Sequence, residues 1–297
     1  MWKQWFGKKN KKESVLPKDA ATQTLQAAIV TDLGNIRSNN EDTALFFRIA
    51  DPATTHRKGS LILVADGMGG HAAGEVASRM AADIVSREYF HHENGQTGVE
   101  KSLLSAFRKA NKQIYESAAD DPKLHGMGTT CTALVVKQDE IYFAHAGDSR
   151  AYLIKGKQIN QVTSDHTYVQ ELLKQGNISA AEAAVHPQRN VLTNAMGTKP
   201  ELRVDTGKYA QPLEEQDVLL LCSDGLYDYL EDQEMATMIL DKPLQEAAEA
   251  LVAEAKKRGG HDNITVLLAR TDAAERTIER PTTKEYALPV TKEIERP

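Results

Sequence analysis

Cysteine is scarce in this chain: two in 297 residues, Cys131 and Cys222, each inside an apolar run. That excludes a disulfide framework, and neither spacing suggests a zinc site. Neither cysteine has an arginine a few residues on, so the loop of a thiolate phosphatase is missing too. G-x-S-x-G is absent. No apolar run approaches the ~18 residues that would cross a bilayer. The opening, MWKQWFGKKNKK, has no apolar centre of the kind a secretion signal needs, so a cytoplasmic protein is expected. Basic residues do not dominate either. The 36 Lys and Arg stand against 42 Asp and Glu, for a net charge of −6, and nothing in that balance asks for nucleic acid. No repeat array is visible.

What is present is an ordinary globular composition, 41% hydrophobic and 26% charged, enough for one sizeable core. Residues 1–22 are polar and lysine-rich, and read as a mobile arm. Its Trp2, Trp5 and Phe6 lie at helical spacing among Lys3, Lys8, Lys9, Lys11 and Lys12. Two readings stand for it: weak peripheral contact with an anionic membrane surface, or a solubilising tail. Residues 273–297 hold proline and many charges with few apolar anchors, and read as a disordered tail. Between them, 23–272 is patterned without a long linker and reads as one domain. Val76, Met80 and Ile84 share a helical face, as do Val99, Leu103, Phe107 and Ile114. Pro243 and Gly259-Gly260 bracket a third helix carrying Leu244, Ala248, Leu251 and Ala255. By contrast, residues 129–162 read as a β-meander turned at KQDE, GDS and KGK. Helices grouped apart from hairpins predict an α+β protein with antiparallel sheet.

The chemistry gathers where strands stop. LILVADGMGG and VLLLCSDGLYD are greasy runs that end at Asp66-Gly67 and Asp224-Gly225. A third run, IYFAHAG, ends at Asp148. Asp262 precedes the run ITVLLAR, and Glu41 and Asp42 precede TALFF. Carboxylates and backbone carbonyls are hard oxygen ligands, suited to magnesium or manganese. Alone, each Asp-Gly is more often a turn than a ligand. A pair of acids could also serve a glycoside hydrolase, although that would leave Arg37 and the glycines unexplained. Histidines His71, His145, His166 and His261 fit structural roles as well as chemical ones.

RSNNED, ADGMGGH, GMGTT, AGDSRAYL, SDHTYVQELLKQGNIS, HPQRNVLTNAMG, LCSDGL and HDNITV together resemble, in order, the bacterial metal-dependent serine/threonine protein phosphatases of type 2C (PPM). The resemblance runs from about residue 25 to 270. It implies a β-sandwich of two antiparallel sheets flanked by helices, with two core Mn2+ or Mg2+ ions and a weaker third. By matching position, Asp66 and the Gly67 carbonyl, Asp224 and Asp262 would hold the core ions. Asp42, with Glu41, would act through metal-bound water, and Asp148 would join Asp224 at the third site. Arg37 would clamp phosphate, and His71 is the nearest candidate for a general acid, since Met68 stands where animal relatives carry histidine. Asn194 replaces an arginine common in relatives. The segment from Thr167 to Arg189 would form a flap, helical at its start and a loop from Gly176 to Pro187. The implied activity is hydrolysis of phosphoserine and phosphothreonine by a metal-activated water, opposing a bacterial serine/threonine kinase, in a monomer. A scaffold that has lost catalysis is the competing reading.

Overall fold

The computed structural model describes residues 24–69, 73–91 and 98–272. The arm, His71 and the tail lie outside the described residues. One sheet runs in the order β1 (Thr24–Asp32), β11 (Ile264–Asp272), β10 (Val218–Cys222), β7 (Arg150–Lys155), β8 (Gln158–Gln161). The other runs β2 (Asp42–Phe47), β3 (Ser60–Met68), β5 (Cys131–Lys137), β6 (Glu140–Ala146), β9 (Asp205–Lys208), with the short β4 (Gly128–Thr129) on the end of β3. Every pairing is antiparallel. The helices are α1 (Pro52–Lys58), α2 (Ala73–His91), α3 (Val99–Asp120), α4 (Tyr168–Lys174), α5 (Ala180–Ala184), α6 (Asp224–Tyr227), α7 (Asp232–Ile239) and α8 (Leu244–Arg258). Among the described residues no helix is long and apolar enough to cross a membrane.

The layers follow from strand alternation. In β3, Leu61, Leu63 and Ala65 pack outward against α2 and α3, while Ile62 and Val64 pack inward against the other sheet. In β10, Val218, Leu220 and Cys222 meet α7 and α8, and Leu219 and Leu221 face the interlayer. A strand buried on both faces has no polar side to alternate with, so it reads as a continuous apolar run. The result is an α-β-β-α sandwich, the α+β architecture expected.

Two local expectations need correction. The segment 129–162 is not one meander. β5–β6 and β7–β8 are tight hairpins in different sheets, and the GDS turn carries the chain across from one to the other. Gly147 makes that crossing at φ +115°, where a Cβ would fall 2.5 Å from the Thr130 side chain. The stretch Gly176 to Pro187 is not all loop, because α5 forms within it behind a capping box between Ser179 and Glu182.

At one end the interlayer changes character. Inward parity in β1, β2, β3 and β11 runs out through apolar residues to Thr31, Asp42, Asp66 and Thr265. Ser223, just past β10, joins them. Thr31 and Thr265 are cross-strand partners with their hydroxyls 2.8 Å apart. The sandwich is therefore greasy through most of its depth and hydroxyl- and carboxyl-lined at this mouth.

Candidate active site

Asp42 and Asp66 are direct cross-strand partners on β2 and β3. Two carboxylates side by side repel, so the surroundings must hold them. The Ser223 hydroxyl donates to Asp42 Oδ2 at 2.8 Å and accepts from the Thr265 amide at 3.0 Å, tying one sheet to the other. Asp66 is fixed through its backbone. Its amide donates to Thr130 Oγ1 (2.9 Å) and its carbonyl accepts from the Thr130 amide (2.8 Å). Asp224 opens α6 immediately beyond β10, and Asp148 sits on the sheet-to-sheet crossing, only 6% exposed.

These segments enclose a cavity of ≈ 460 Å³ lined by Arg37, Glu41, Asp66, Gly67, Asp148, Asp224 and Asp262, with Met68, Asn190 and Leu192 among its rim residues. Of the sequence-derived candidates only Asp42, the cross-strand partner of Asp66, is not in this lining, and His71 lies outside the described residues.

The electrostatics of the basin are those of crowded acids. Burial first, then Asp42, Asp224, Asp148 and Asp262, hold the Asp66 carboxyl well above its usual range. Burial and then Asp148 do the same to Asp224. Burial pushes Asp42 up to about 6, against the pull of the Thr265 and Ser223 hydroxyls beside it. Asp148 is pushed up to about 7 by burial and by Asp165. Asp42 Oδ1 and Asp224 Oδ1 are buried with no hydrogen-bond partner among the described residues. Orphaned carboxylate oxygens, mutual repulsion and an all-oxygen donor set fit divalent cations. Among the described residues no three acid, histidine or cysteine side chains form a ready-made cage. The acids line an open basin instead, which suits an ion that keeps several waters.

Arg37 and Asp262, which the resemblance assigns to different tasks, touch each other: Nη2 donates to Oδ2 at 2.6 Å, with both side chains partly exposed. Asn194 is committed elsewhere. It bonds His166 Nδ1 (2.8 Å) and bridges both backbone groups of Arg203.

Three supporting residues carry no role in the sequence reading. Asn263 accepts from the Glu41 amide (2.8 Å) and donates to the Leu33 and Asn39 carbonyls (3.1 and 3.0 Å), pinning the RSNNED loop to the turn that bears Asp262. Ser223 holds Asp42, and Thr130 holds Asp66. Asn263 and Ser223 are small polar residues written directly beside an acid (HDN, CSD), and that adjacency was the available signal; Thr130, 64 residues from Asp66, had none. Cys131 and Cys222 are fully buried, and burial pushes both thiols up, so neither is a nucleophile.

A sandwich with a carboxylate basin at its mouth and an arginine on the rim is the arrangement of a phosphate-ester hydrolase. Residues 38–259 match the protein phosphatase 2C family, and the chain belongs to it. The chain is 38% identical over 255 residues to the serine/threonine phosphatase stp of Listeria monocytogenes, covering 85% of this chain and 98% of that one. The crystal structure of Stp1 from Staphylococcus aureus superposes with a TM-score of 0.76 at 36% identity, covering 87% and 100%. The catalytic domain of the phosphatase PstP in complex with 2 manganese ions gives 0.68 at 32%, covering 83% and 98%.

Proposed function

We propose that this protein hydrolyses phosphoserine and phosphothreonine in proteins with the help of divalent cations, manganese or magnesium, bound in the acidic basin. The observation that carries this reading is the convergence of Asp66, Asp148, Asp224 and Asp262 on one cavity, next to buried carboxylate oxygens without hydrogen-bond partners among the described residues. Asp66, Asp224, Asp262 and the Gly67 carbonyl are the ligands for the core ions, and Asp148 with Asp224 for a weaker one. When bound, such ions lower the pKa of water and draw charge from the phosphoryl oxygens.

The chain's own groups do the rest. Arg37 offers a planar pair of donors to phosphate oxygens, and so exchanges Asp262 for substrate when the basin is loaded. Asp42, with Oδ2 held by Ser223, keeps Oδ1 as an acceptor for a water O–H. Glu41, its backbone pinned by Asn263, adds a second acceptor at the cavity wall. With both cysteines buried, direct attack by water accounts for hydrolysis without a covalent phosphoenzyme. The catalytic unit spans 23–272, works as a monomer in the cytoplasm, and opposes a bacterial serine/threonine kinase.

The test is dephosphorylation of phosphoserine and phosphothreonine peptides, alongside p-nitrophenyl phosphate, with manganese and with EDTA. Turnover that EDTA abolishes and manganese restores supports the reading, and no turnover with any divalent ion overturns it. Arg37→Ala should lower kcat/KM on the peptides by ~10–100-fold, the worth of a charge-assisted hydrogen bond to phosphate.

A further inference from the structure

The β7–β10 ladder ends at the Arg150–Cys222 pair. Asp148 lies two residues before that last rung and Asp224 two residues after it, so no backbone pairing fixes the distance between them. Side chains take over there. The Arg150 guanidinium donates from Nε and Nη2 to both oxygens of Asp165 (2.7–3.1 Å) and from Nη1 to Tyr152 Oη (3.2 Å). Its central carbon lies 3.7 Å from the centre of the Tyr227 ring. Tyr227 closes α6, the helix that Asp224 opens, and its hydroxyl donates to the Asp148 carbonyl at 3.1 Å. Asp165 stands just ahead of α4, and there the His166 amide donates to the Gly147 carbonyl at 2.7 Å. The stack therefore joins three segments: the sheet crossing that bears Asp148, the helix that bears Asp224, and the approach to α4.

We propose that Arg150 and Tyr227 are positioning residues that set the separation of Asp148 and Asp224, and with it the affinity of that pair for a divalent cation. The proposal rests on reading these two acids as cation ligands. A half-buried arginine is costly to desolvate, and a stack that only filled space would be served as well by apolar side chains. The hydroxyl of Tyr227 has its partner on the ligand-bearing loop itself.

Tyr227→Phe keeps the ring over Arg150 and deletes only the bond to Asp148. In manganese titration calorimetry of the full chain, it should weaken the weakest class of sites by ~3–10-fold, the size of one hydrogen bond, and leave the tighter class unchanged. Its peptide turnover should fall at low manganese and return at high manganese, with KM for the peptide unchanged at saturating manganese. Adding Tyr227→Phe to Asp148→Asn should change nothing further, because the carboxylate being positioned is already gone. Arg150→Lys, which keeps charge but loses the fork and the stack, should exceed the Tyr227→Phe loss; if it does not fold, the tyrosine cycle decides alone. Unchanged weak-site affinity in Tyr227→Phe, or equal losses in both backgrounds, would overturn the proposal. Wild-type protein that binds neither manganese nor magnesium would instead overturn the proposed function.

Discussion

An aspartate at the end of a strand can be a turn former or a ligand, and asparagine separates the two. Asparagine keeps the size and the turn preference, so a turn would tolerate it. A ligand would not, because the charge that offsets the cation is lost. Asp66→Asn and Asp224→Asn should each weaken manganese binding by more than the ~10–100-fold that losing even an outer partner of a ligand costs, and turnover should fall with it. In EDTA the same variants should melt no lower than wild type. Each carboxyl is held above its usual range by burial and by its acidic neighbours, and a neutral amide removes part of that repulsion. Calorimetry and thermal melts check the two halves. Wild-type metal binding in Asp66→Asn would return the residue to the class of turns. The acids of the basin were legible in the sequence because carboxylates placed at strand ends form a pattern of residue types. Asn263 was not, since its task depends on backbone groups at Leu33, Asn39 and Glu41 that only the fold brings to it.

Among the elements, what could be read in advance was what local physics decides. The doubly buried β3 and β10, the faces of α2, α3 and α8, and the hairpins at 137–140 and 155–158 all follow from period and turn residues. What escaped is where partners are chosen at long range: the GDS turn looks like any hairpin turn, yet it changes sheets. Nothing local distinguishes the two, because the strands on either side alternate in the same way. α5 escaped for a related reason, being five residues whose only signature is the Ser179–Glu182 cap. α6 is shorter still, and its position is set by contact. A Cβ on Gly225 would stand 2.0 Å from the Asn263 carbonyl oxygen. Gly225→Ala must therefore push α6 off the turn that carries Asp262, taking Asp224 along. Overpacking of this kind costs ~1–3 kcal/mol. At ~2–4 °C per kcal/mol for a domain of this size, the melt should drop by several degrees, with a disproportionate loss of turnover. Gly156→Ala is the comparison, since a Cβ there meets nothing within 4 Å. It should cost only the ~1–2 kcal/mol of a left-handed residue and keep full activity. Equal activity loss in both would mean that the placement of α6 does not matter to the site.

For the whole molecule, the basin makes stability depend on protons and cations together. Asp42 at about 6, Asp148 at about 7, and Asp66 and Asp224, held well above the usual carboxylate range by burial and by their acidic neighbours, all bind protons in the folded state at pH values where the unfolded chain has lost them. Their contribution to stability is present at low pH and is lost as pH rises through these values. The buried histidines act in the opposite direction. His145 is held down to about 3 by burial and by His166, and His166 is lowered by burial, so both favour the folded state only above their unfolded value near ~6.5. Carboxylates held low by salt bridges, such as Glu88 beside Lys109 and Glu140 beside Lys208, have finished titrating below this range. The raw melting temperature therefore mixes opposing slopes, but the difference between melts in manganese and in EDTA cancels every group outside the basin. That difference should be small at pH 5.5, where protons occupy the acids, and should widen steadily to pH 8 as cations displace them. At a manganese concentration ~100 times the dissociation constant the stabilisation is ~2.7 kcal/mol, or roughly 5–10 °C at the upper end of the range. In Asp224→Asn the widening should shrink, whereas a substitution distant from the basin should leave it intact. A difference that stays constant from pH 5.5 to 8 would mean that manganese and protons do not compete for these carboxylates, and the basin would then have to be explained without a cation.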